Sequence, residues 1–261
     1  MTRFKLAALA AALLAFAGPA SAKSLTVGAN IGNVPWEFQD EKSETVGFEV
    51  DLVREAAKRM GYDDVTYENI PFNGLFSAVQ SGRIDAAISS ITITKKRLES
   101  VSFAQPYYDS DQSLSVLKDS GITGLSGLKG KVVGVDTGST GDIYATQHEK
   151  DLGLSEIRRF EGLAPAMLDL AAGRIDGYIS DIPAVAYYIK DKPQYAVVER
   201  IPTGEQYSVM FAKDSPLVAE ATKAITEMKN DGSLSKLHEK WFGSKPDAST
   251  STAKVLEAPK L

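Results

Sequence analysis

Two stretches of this chain repeat one pattern, and the repeat limits the folds that the sequence can adopt. The first stretch is Phe76 to Ser90, FSAVQSGRIDAAISS, and the second is Leu168 to Asp181, LDLAAGRIDGYISD. In both, the pattern predicts a helix that ends at a glycine, an Arg-Ile-Asp turn, and a buried strand that ends at a small polar residue. The two copies lie too far apart for a solenoid repeat, so we expect two similar α/β lobes.

A fainter repeat supports the same organisation. Leu25 to Asn30, LTVGAN, is similar to Lys131 to Asp136, KVVGVD. Short apolar strands alternate with amphipathic helices along the chain, which is typical of α/β folds with largely parallel sheets. Ligands of such sheets bind beyond the carboxyl ends of the strands. Asn30, Ser90, Asp136 and Asp181 stand at such ends, and we expect them to face one cleft.

The N-terminus has the features of a secretory signal peptide, predicted over residues 1–22. Arg3 and Lys5 precede an apolar run that is too short to span a bilayer, and a small-residue cleavage site ends at Ala22. Removing this segment deletes two cations and no acid, so the mature chain is more acidic than the full sequence, whose formal net charge is −5. An acidic chain without a basic cluster is a poor candidate for binding nucleic acid.

Other chemistry is limited by composition. The chain has no cysteine, which excludes disulfides, thiolate metal sites and thiol catalysis. No metal-ligand or catalytic constellation is found, and we expect no cofactor. Residues 244–261 are rich in Ser, Thr, Ala, Pro and Lys without apolar periodicity, and we expect this tail to be disordered.

The polar residues at the strand ends suit a free amino acid, whose two charges both need partners in a buried site. Ser90 and Thr92 offer hydroxyl and backbone donors, and Arg97, in a helix capped by Thr94, can hold a carboxylate in a bidentate fork. Asp181 is the natural partner of the ammonium, although it could also cap the helix that follows. The Gly-rich turn 136–141 lacks the lysine of a Walker motif, so we do not expect a nucleotide there.

Several motifs, in order along residues 25–243, resemble the bacterial extracellular solute-binding proteins of family 3, the polar amino acid binding proteins of ABC importers. They are GFEVDL at 47–52, SGRIDAAI at 81–88, ITIT at 91–94, Arg97, Phe103, PYY at 106–108 and KWFG at 240–243. The resemblance implies a two-lobed α/β periplasmic binding protein fold (type II), in which two mixed sheets flanked by helices are joined by two hinge strands.

The family pattern also implies lobe boundaries. Lobe 1 would comprise residues 23–110 and 207–243, with lobe 2 inserted at 111–206. The hinges would fall near residues 107–111 and 203–207.

The resemblance further implies roles for individual residues. Phe72 would form the aromatic wall against the ligand, and Ser90 and Thr92 would contact both its ammonium and its carboxylate. Arg97 would hold the carboxylate, Ser139 and Thr140 would add donors to it, and Asp181 would take the ammonium. The ligand's side chain would be selected by Asn30, Asn33, Trp36 and Asp136. This set implies a polar side chain. It leaves open whether Asp136 neutralises a cationic ligand or is already paired with a cation such as Lys131, which would favour a neutral ligand.

The implied function is that of a periplasmic, monomeric binding protein that closes on a free amino acid and delivers it to the permease of an ABC importer. The alternative is an exported dehydratase of the prephenate and arogenate type on the same fold. Such enzymes carry a glutamate shortly after the aspartate of the second-lobe strand, whereas this chain reads Asp181-Ile-Pro-Ala-Val. Glu161 and Glu205 have no motif that supports an acid role, so we do not expect catalysis.

Overall fold

The computed structural model describes residues 22–261, and all but the last residue of the predicted signal peptide lies outside this range. The strands are β1 Ser24–Ala29, β2 Phe38–Gln39, β3 Thr45–Val46, β4 Asp64–Asn69, β5 Ala86–Ile88, β6 Val101–Phe103, β7 Tyr108–Leu117, β8 Val132–Asp136, β9 Glu156–Phe160, β10 Gly177–Asp181, β11 Tyr195–Tyr207 and β12 Met210–Ala212. The helices are α1 Phe48–Arg59, α2 Phe72–Gln80, α3 Lys95–Leu98, α4 Thr140–Leu152, α5 Leu163–Ala171, α6 Ile182–Ile189, α7 Leu217–Asn230 and α8 Ser233–Phe242. Within the described range, no helix is long and apolar enough to cross a bilayer.

Two five-stranded sheets form the centres of two lobes. The first sheet has the order β4-β1-β5-β12-β6 and the second β11-β7-β10-β8-β9. In the first, β1 is parallel to β4 and β5, while β12 runs antiparallel. In the second, β8, β9 and β10 are parallel, while β7 runs antiparallel. The predicted fold class of two mixed sheets flanked by helices is therefore confirmed.

The repeat seen in the sequence is also a repeat of hydrogen bonds. Asp85 N donates to Thr26 O at 2.8 Å, and Thr26 N donates to Asp85 Oδ2 at 2.8 Å. In the second lobe, Asp176 and Val132 exchange the same two bonds, also at 2.8 Å each. The aspartate of each Arg-Ile-Asp turn thus closes the turn onto a parallel strand of its own sheet, β1 in the first lobe and β8 in the second, which explains why the triplet occurs twice.

Strands β7 and β11 connect the lobes. They pair antiparallel, with Tyr207 opposite Tyr108 and Glu205 opposite Ser110, and their register shifts between Ile201 and Glu205. The first sheet uses strands from 24–103 and 210–212, so the chain leaves the first lobe along β7 and returns along β11. This arrangement places both crossings side by side, as a pair of hinge strands requires.

The tail does not show the expected disorder. Ser251 and Thr252 are buried. Ser251 N donates to Asp109 Oδ2 at 2.7 Å, and Thr252 Oγ1 donates to Tyr107 O at 2.8 Å. The expectation rested on the absence of apolar periodicity, but the tail docks through hydroxyl and backbone hydrogen bonds, which carry no periodic signal in the sequence.

Candidate ligand-binding cleft

A cavity of about 280 Å³ lies between the two lobes. It is lined by every site residue predicted from the sequence except Trp36: Asn30, Asn33, Phe72, Ser90, Thr92, Arg97, Asp136, Ser139, Thr140 and Asp181. The lobes meet across it, because Arg97 Nη2 of the first lobe donates to Gly138 O of the second at 3.2 Å. The structure therefore shows a closed cleft.

Trp36 is a core residue and not a wall of the cleft. Its side chain is fully buried, and its ring makes edge contacts with the rings of Phe48, Tyr108 and Tyr207 at centroid distances of 5.8, 4.8 and 5.4 Å. The expectation that Trp36 selects the ligand's side chain is therefore wrong. Aromatic residues near a cleft and aromatic residues beneath it have the same sequence signature, and only packing distinguishes them.

Arg97 is held at the first-lobe wall by backbone contacts. It lies in the short helix α3, where Thr94 caps the helix and accepts from Arg97 N at 3.1 Å, as predicted. Arg97 Nη1 donates to Thr92 O at 2.6 Å, and the guanidinium carbon lies 5.4 Å from the centre of the Phe72 ring. Burial lowers the pKa of Arg97 to about 10, while the negative charges of Glu205 and Asp181 act to raise it. Arg97 therefore remains a cation at neutral pH. Two of its five N–H groups bond to carbonyls, which leaves donors for a carboxylate.

Asp181 occupies the N-cap position of α6, but its side chain makes no capping hydrogen bond. It accepts from Tyr207 Oη at 2.6 Å and from Gln112 Nε2 instead. Loss of solvation raises the pKa of Asp181 to about 8, and the charge of Glu205 adds to the shift. A carboxylate so placed gains most from a cation, which fits the expected ammonium partner.

Ser90 presents its hydroxyl but not its N–H to the cleft. Its backbone has a φ of 44°, and its N–H donates to the buried Glu49 at 2.9 Å. The Ser90 hydroxyl accepts from Asn33 Nδ2 at 3.2 Å. The expectation that Ser90 offers a backbone donor to a ligand is therefore wrong, because Glu49 already uses that donor.

Ser139 and Thr140 stand at the beginning of α4. Ser139 caps the helix, with its Oγ accepting from Asp142 N at 3.1 Å. The helix packs closely on β10, since a Cβ atom at Gly141 would lie 2.7 Å from Ile179 O. Ser139 and Thr140 line the cleft, so the beginning of α4 faces it, and a helix N-terminus suits an anion.

Asp136 lies at the end of β8 with an unsatisfied oxygen. Asp136 Oδ1 is buried and has no hydrogen-bond partner among residues 22–261. Burial raises the pKa of Asp136 to about 7, and the charge of Glu161 adds to the shift, while Tyr178 and the Gly162 N–H oppose it. Lys131 does not neutralise it, because Lys131 Nζ pairs with Asp176 at 3.1 Å.

Two polar residues of the hinge strands were missed by the sequence reasoning. Glu205 is buried and accepts hydrogen bonds from Thr92 of the first lobe and Thr140 of the second. Gln112 lies between Glu205 and Asp181 and donates to both. Glu205 was considered only as a catalytic acid and set aside, and the predicted hinge position near residues 203–207 was the signal that could have drawn attention to it.

The cleft therefore offers one cation and several carboxylates to a small charged ligand. Within residues 22–261, no group of three or more His, Asp or Glu side chains could hold a metal ion. Two lobes that meet across a polar cleft, with a paired-strand connection, define a solute-binding protein.

The comparison with known proteins also identifies the chain as a solute-binding protein. The model of the bacterial extracellular solute-binding proteins, family 3, matches residues 25–244, and the chain belongs to this family. The family and the relatives below are binding proteins, so the chain is a binding protein and not an enzyme, and the dehydratase alternative has no support among them.

Among the relatives is the arginine-binding extracellular protein ArtP of Bacillus subtilis, 33% identical over 84% of this chain and 86% of that protein. The histidine-binding periplasmic protein of Salmonella typhimurium is 32% identical over 91% of this chain and 96% of that protein. The solved structure of an ancestral arginine-binding protein bound to arginine is 36% identical, with a TM-score of 0.79, over 84% of this chain and 98% of that chain.

Proposed function

We propose that the protein captures a free L-amino acid with a cationic side chain, with arginine as the first candidate, and delivers it to the permease of an ABC importer. The observation that carries the cationic preference is the buried oxygen of Asp136 without a partner. The sequence left two cases open, and they differ in whether Lys131 pairs with Asp136. Lys131 pairs with Asp176 instead, which leaves Asp136 to a cation supplied by the ligand.

Glu161 strengthens this preference. It lines the same cavity and raises the pKa of Asp136 by its charge. Its carboxylate accepts from Thr137 Oγ1 at 3.0 Å, and no cation forms a salt bridge with it in the described part of the chain. Two neighbouring carboxylates favour a guanidinium or ammonium group between them.

The relatives are consistent with this choice. ArtP is named as an arginine-binding protein, and a solved structure of a related protein from Geobacillus stearothermophilus, 33% identical, is described as an arginine-, lysine-, histidine-binding protein. An ancestral arginine-binding protein was also solved with glutamine. A neutral polar side chain is therefore the second candidate.

Binding would use both ends of the amino acid and both lobes. Arg97 of the first lobe would hold the α-carboxylate in a bidentate fork, together with N–H groups at the beginning of α4. Asp181 of the second lobe would take the α-ammonium. Because these partners lie on different lobes, only a closed cleft satisfies both charges, and the ligand stabilises closure about β7 and β11.

Location and partners complete the proposal. The relatives named above are extracellular or periplasmic proteins. The predicted signal peptide at residues 1–22 would be cleaved on export and leave a monomer in the periplasm. There it would exchange its ligand with the permease.

A thermal-shift screen tests the proposal. Each proteinogenic amino acid, together with ornithine and citrulline, is added to the mature protein, and arginine, lysine or ornithine is expected to give the largest rise in melting temperature. A ligand at a thousandfold excess over its Kd stabilises by about 4 kcal/mol. The largest shift with leucine, isoleucine or valine would show that the polar residues are misassigned.

A further inference from the structure

Glu205 joins the two lobes through hydroxyl groups. It lies on β11 beside the register shift, and its side chain is buried. Its Oε2 accepts from Thr92 Oγ1 of the first lobe at 2.6 Å and from Thr140 Oγ1 of the second lobe at 3.0 Å. Its Oε1 accepts from Gln112 Nε2 at 2.9 Å. One carboxylate therefore contacts both walls of the cleft and the opposite hinge strand.

The bonds to Glu205 limit the hydrogen bonds that the hydroxyls of Thr92 and Thr140 can make to a ligand. A hydroxyl has one hydrogen and two lone pairs, and a carboxylate only accepts. Both Thr92 and Thr140 therefore give their only hydrogen to Glu205. What they can still offer to a ligand in the cleft is acceptor capacity.

The same cluster contains more acceptors than donors. Gln112 Nε2 lies within hydrogen-bond distance of Thr140 Oγ1, Asp181 Oδ1 and Glu205 Oε1, but an amide carries only two hydrogens. Reversing the amide would place its oxygen against two carboxylates, so the orientation is set by its neighbours. A group with several N–H donors and a positive charge would satisfy this cluster.

We propose that Glu205 is a positioning residue, which takes the hydroxyl hydrogens of Thr92 and Thr140 and so turns both side chains into acceptors for the ligand's α-ammonium. This inference rests on the proposed function, because it needs an amino acid in the cleft. It changes one expectation from the family resemblance, in which Thr140 would add a donor to the α-carboxylate, because the Thr140 hydroxyl hydrogen is already given to Glu205. The α-carboxylate is left to Arg97 and to backbone N–H groups.

The test compares ligands that share arginine's side chain but differ at the α-carbon. L-arginine, agmatine, which lacks the carboxylate, and 5-guanidinopentanoate, which lacks the α-amine, are titrated calorimetrically into the wild-type protein and Glu205→Gln. The Kd of L-arginine and of agmatine should rise about tenfold or more, as expected for a lost hydrogen bond to a charged group. The Kd of 5-guanidinopentanoate should change by less than about threefold.

A mutant cycle shows whether Glu205 acts through the threonines. In the background Thr92→Val with Thr140→Val, the effect of Glu205→Gln on L-arginine should fall below about threefold, because the hydroxyls that it orients are gone. The inference would be overturned if Glu205→Gln raised the Kd of L-arginine as much in this background as in the wild-type background. It would also be overturned if the substitution raised the Kd of all three ligands equally, or left that of L-arginine unchanged.

The matched control is Glu199→Gln. Glu199 also lies on β11 and accepts a backbone hydrogen bond, from Leu125 N at 2.7 Å, but it does not line the cleft. It should leave the Kd of L-arginine unchanged. If Glu205→Gln fails to fold, as judged by its melting curve, the single variant Thr140→Val carries the test, with the same discrimination between L-arginine and 5-guanidinopentanoate. Failure of the proposed function is distinct, because the wild-type protein itself would then not bind L-arginine.

Discussion

Lys131 Nζ lies 3.1 Å from Asp176 Oδ1, and this pairing leaves Asp136 without a cation. Asp176 is the residue that closes the Arg-Ile-Asp turn of the second lobe onto Val132. The lysine therefore serves the turn and not the cleft. Within the described residues, the buried Asp136 Oδ1 has no hydrogen-bond partner, which supports the proposed cationic ligand.

Asp136→Asn should weaken the binding of arginine by about 1–3 kcal/mol, because a charge-assisted hydrogen bond becomes a neutral one. Citrulline has nearly the shape of arginine without its charge, and its affinity should change little. Calorimetric titration of both ligands into both proteins measures the difference. Equal losses for arginine and citrulline would mean that Asp136 supports the fold of the cleft and does not select charge.

Ligand affinity should depend on pH through Asp136. Burial raises the pKa of Asp136 to about 7, and a cationic ligand needs the ionised form. Binding therefore releases a proton below pH 7, and arginine affinity should rise by up to about tenfold per pH unit toward pH 7. Asp181, with a pKa raised to about 8, acts in the same direction. Calorimetry between pH 5.5 and 8.5 should show a shallower slope in Asp136→Asn.

The stability of the ligand-free protein should depend on pH in the opposite sense to ligand affinity and fall as the pH rises. An aspartate in the unfolded chain has a pKa of about 3.9, so between about pH 4 and pH 7 the folded protein holds more protons at Asp136 than the unfolded chain does. This group's contribution to the free energy of unfolding therefore falls as pH rises through that range and levels off above it. The decrease in melting temperature should be smaller in Asp136→Asn, and an identical pH profile would contradict the assignment.

Arg97→Ala should remain folded and lose amino acid binding. It removes the α-carboxylate's partner from a buried site, which costs about 3–5 kcal/mol, or more than a hundredfold in affinity. Arg83→Ala is the matched control, because Arg83 makes an exposed ion pair with Glu68 at 2.7 Å. Calorimetry with L-arginine on both variants, after a melting curve for each, makes the comparison. Wild-type affinity in Arg97→Ala would overturn the site.

Asp181→Ala should also remain folded and lose binding, because the α-ammonium would be left without its carboxylate. The expected loss is again about 3–5 kcal/mol for L-arginine. Agmatine keeps the amine and should lose affinity as well, whereas 5-guanidinopentanoate should not. A variant that binds L-arginine as the wild type does would remove Asp181 from the site.

Ligand addition should make the protein more compact in solution. The α-carboxylate and α-ammonium partners lie on different lobes, so the ligand favours rotation about β7 and β11 into the closed form. Small-angle scattering should show the radius of gyration decreasing with saturating arginine. Arg97→Ala serves as the control and should show no decrease, while an unchanged radius for the wild type would contradict closure.

The tail should stabilise the ends of the hinge strands. Ser251 is buried and bonds to Asp109 of β7 and, at 2.7 Å, to Gln206 of β11. Ser251→Ala should lower the free energy of unfolding by about 1–3 kcal/mol, because buried polar partners lose a hydrogen bond. Ser249→Ala is the control, since Ser249 is exposed and its hydrogen bonds within the described residues are to Asp247 of the tail. Equal melting temperatures for both variants would show that the tail contributes nothing to the hinge.

Much of the fold could be predicted from patterns that span a few residues. The repeat around Arg-Ile-Asp predicted two lobes. Thr94 was recognised as a helix cap because capping joins residues three positions apart. Asn30, Ser90, Asp136 and Asp181 were placed in one cleft by the rule that strands of open sheets end at a common edge, and the structure brings them together.

What the sequence by itself determined was therefore local order: which segments become strands and helices, and which polar residues stand at their ends. Tertiary structure alone decided which side chains meet. Trp36 is buried by aromatic rings from distant segments. Glu205 contacts Thr92, which lies 113 residues away in the sequence, and Ser251 of the tail bonds to Asp109 of a hinge strand. The physical reason is the distance along the sequence over which each kind of interaction acts. Periodicity and capping act within one or two helical turns, whereas hydrogen bonds and packing between distant segments exist only after the two lobes have formed and met.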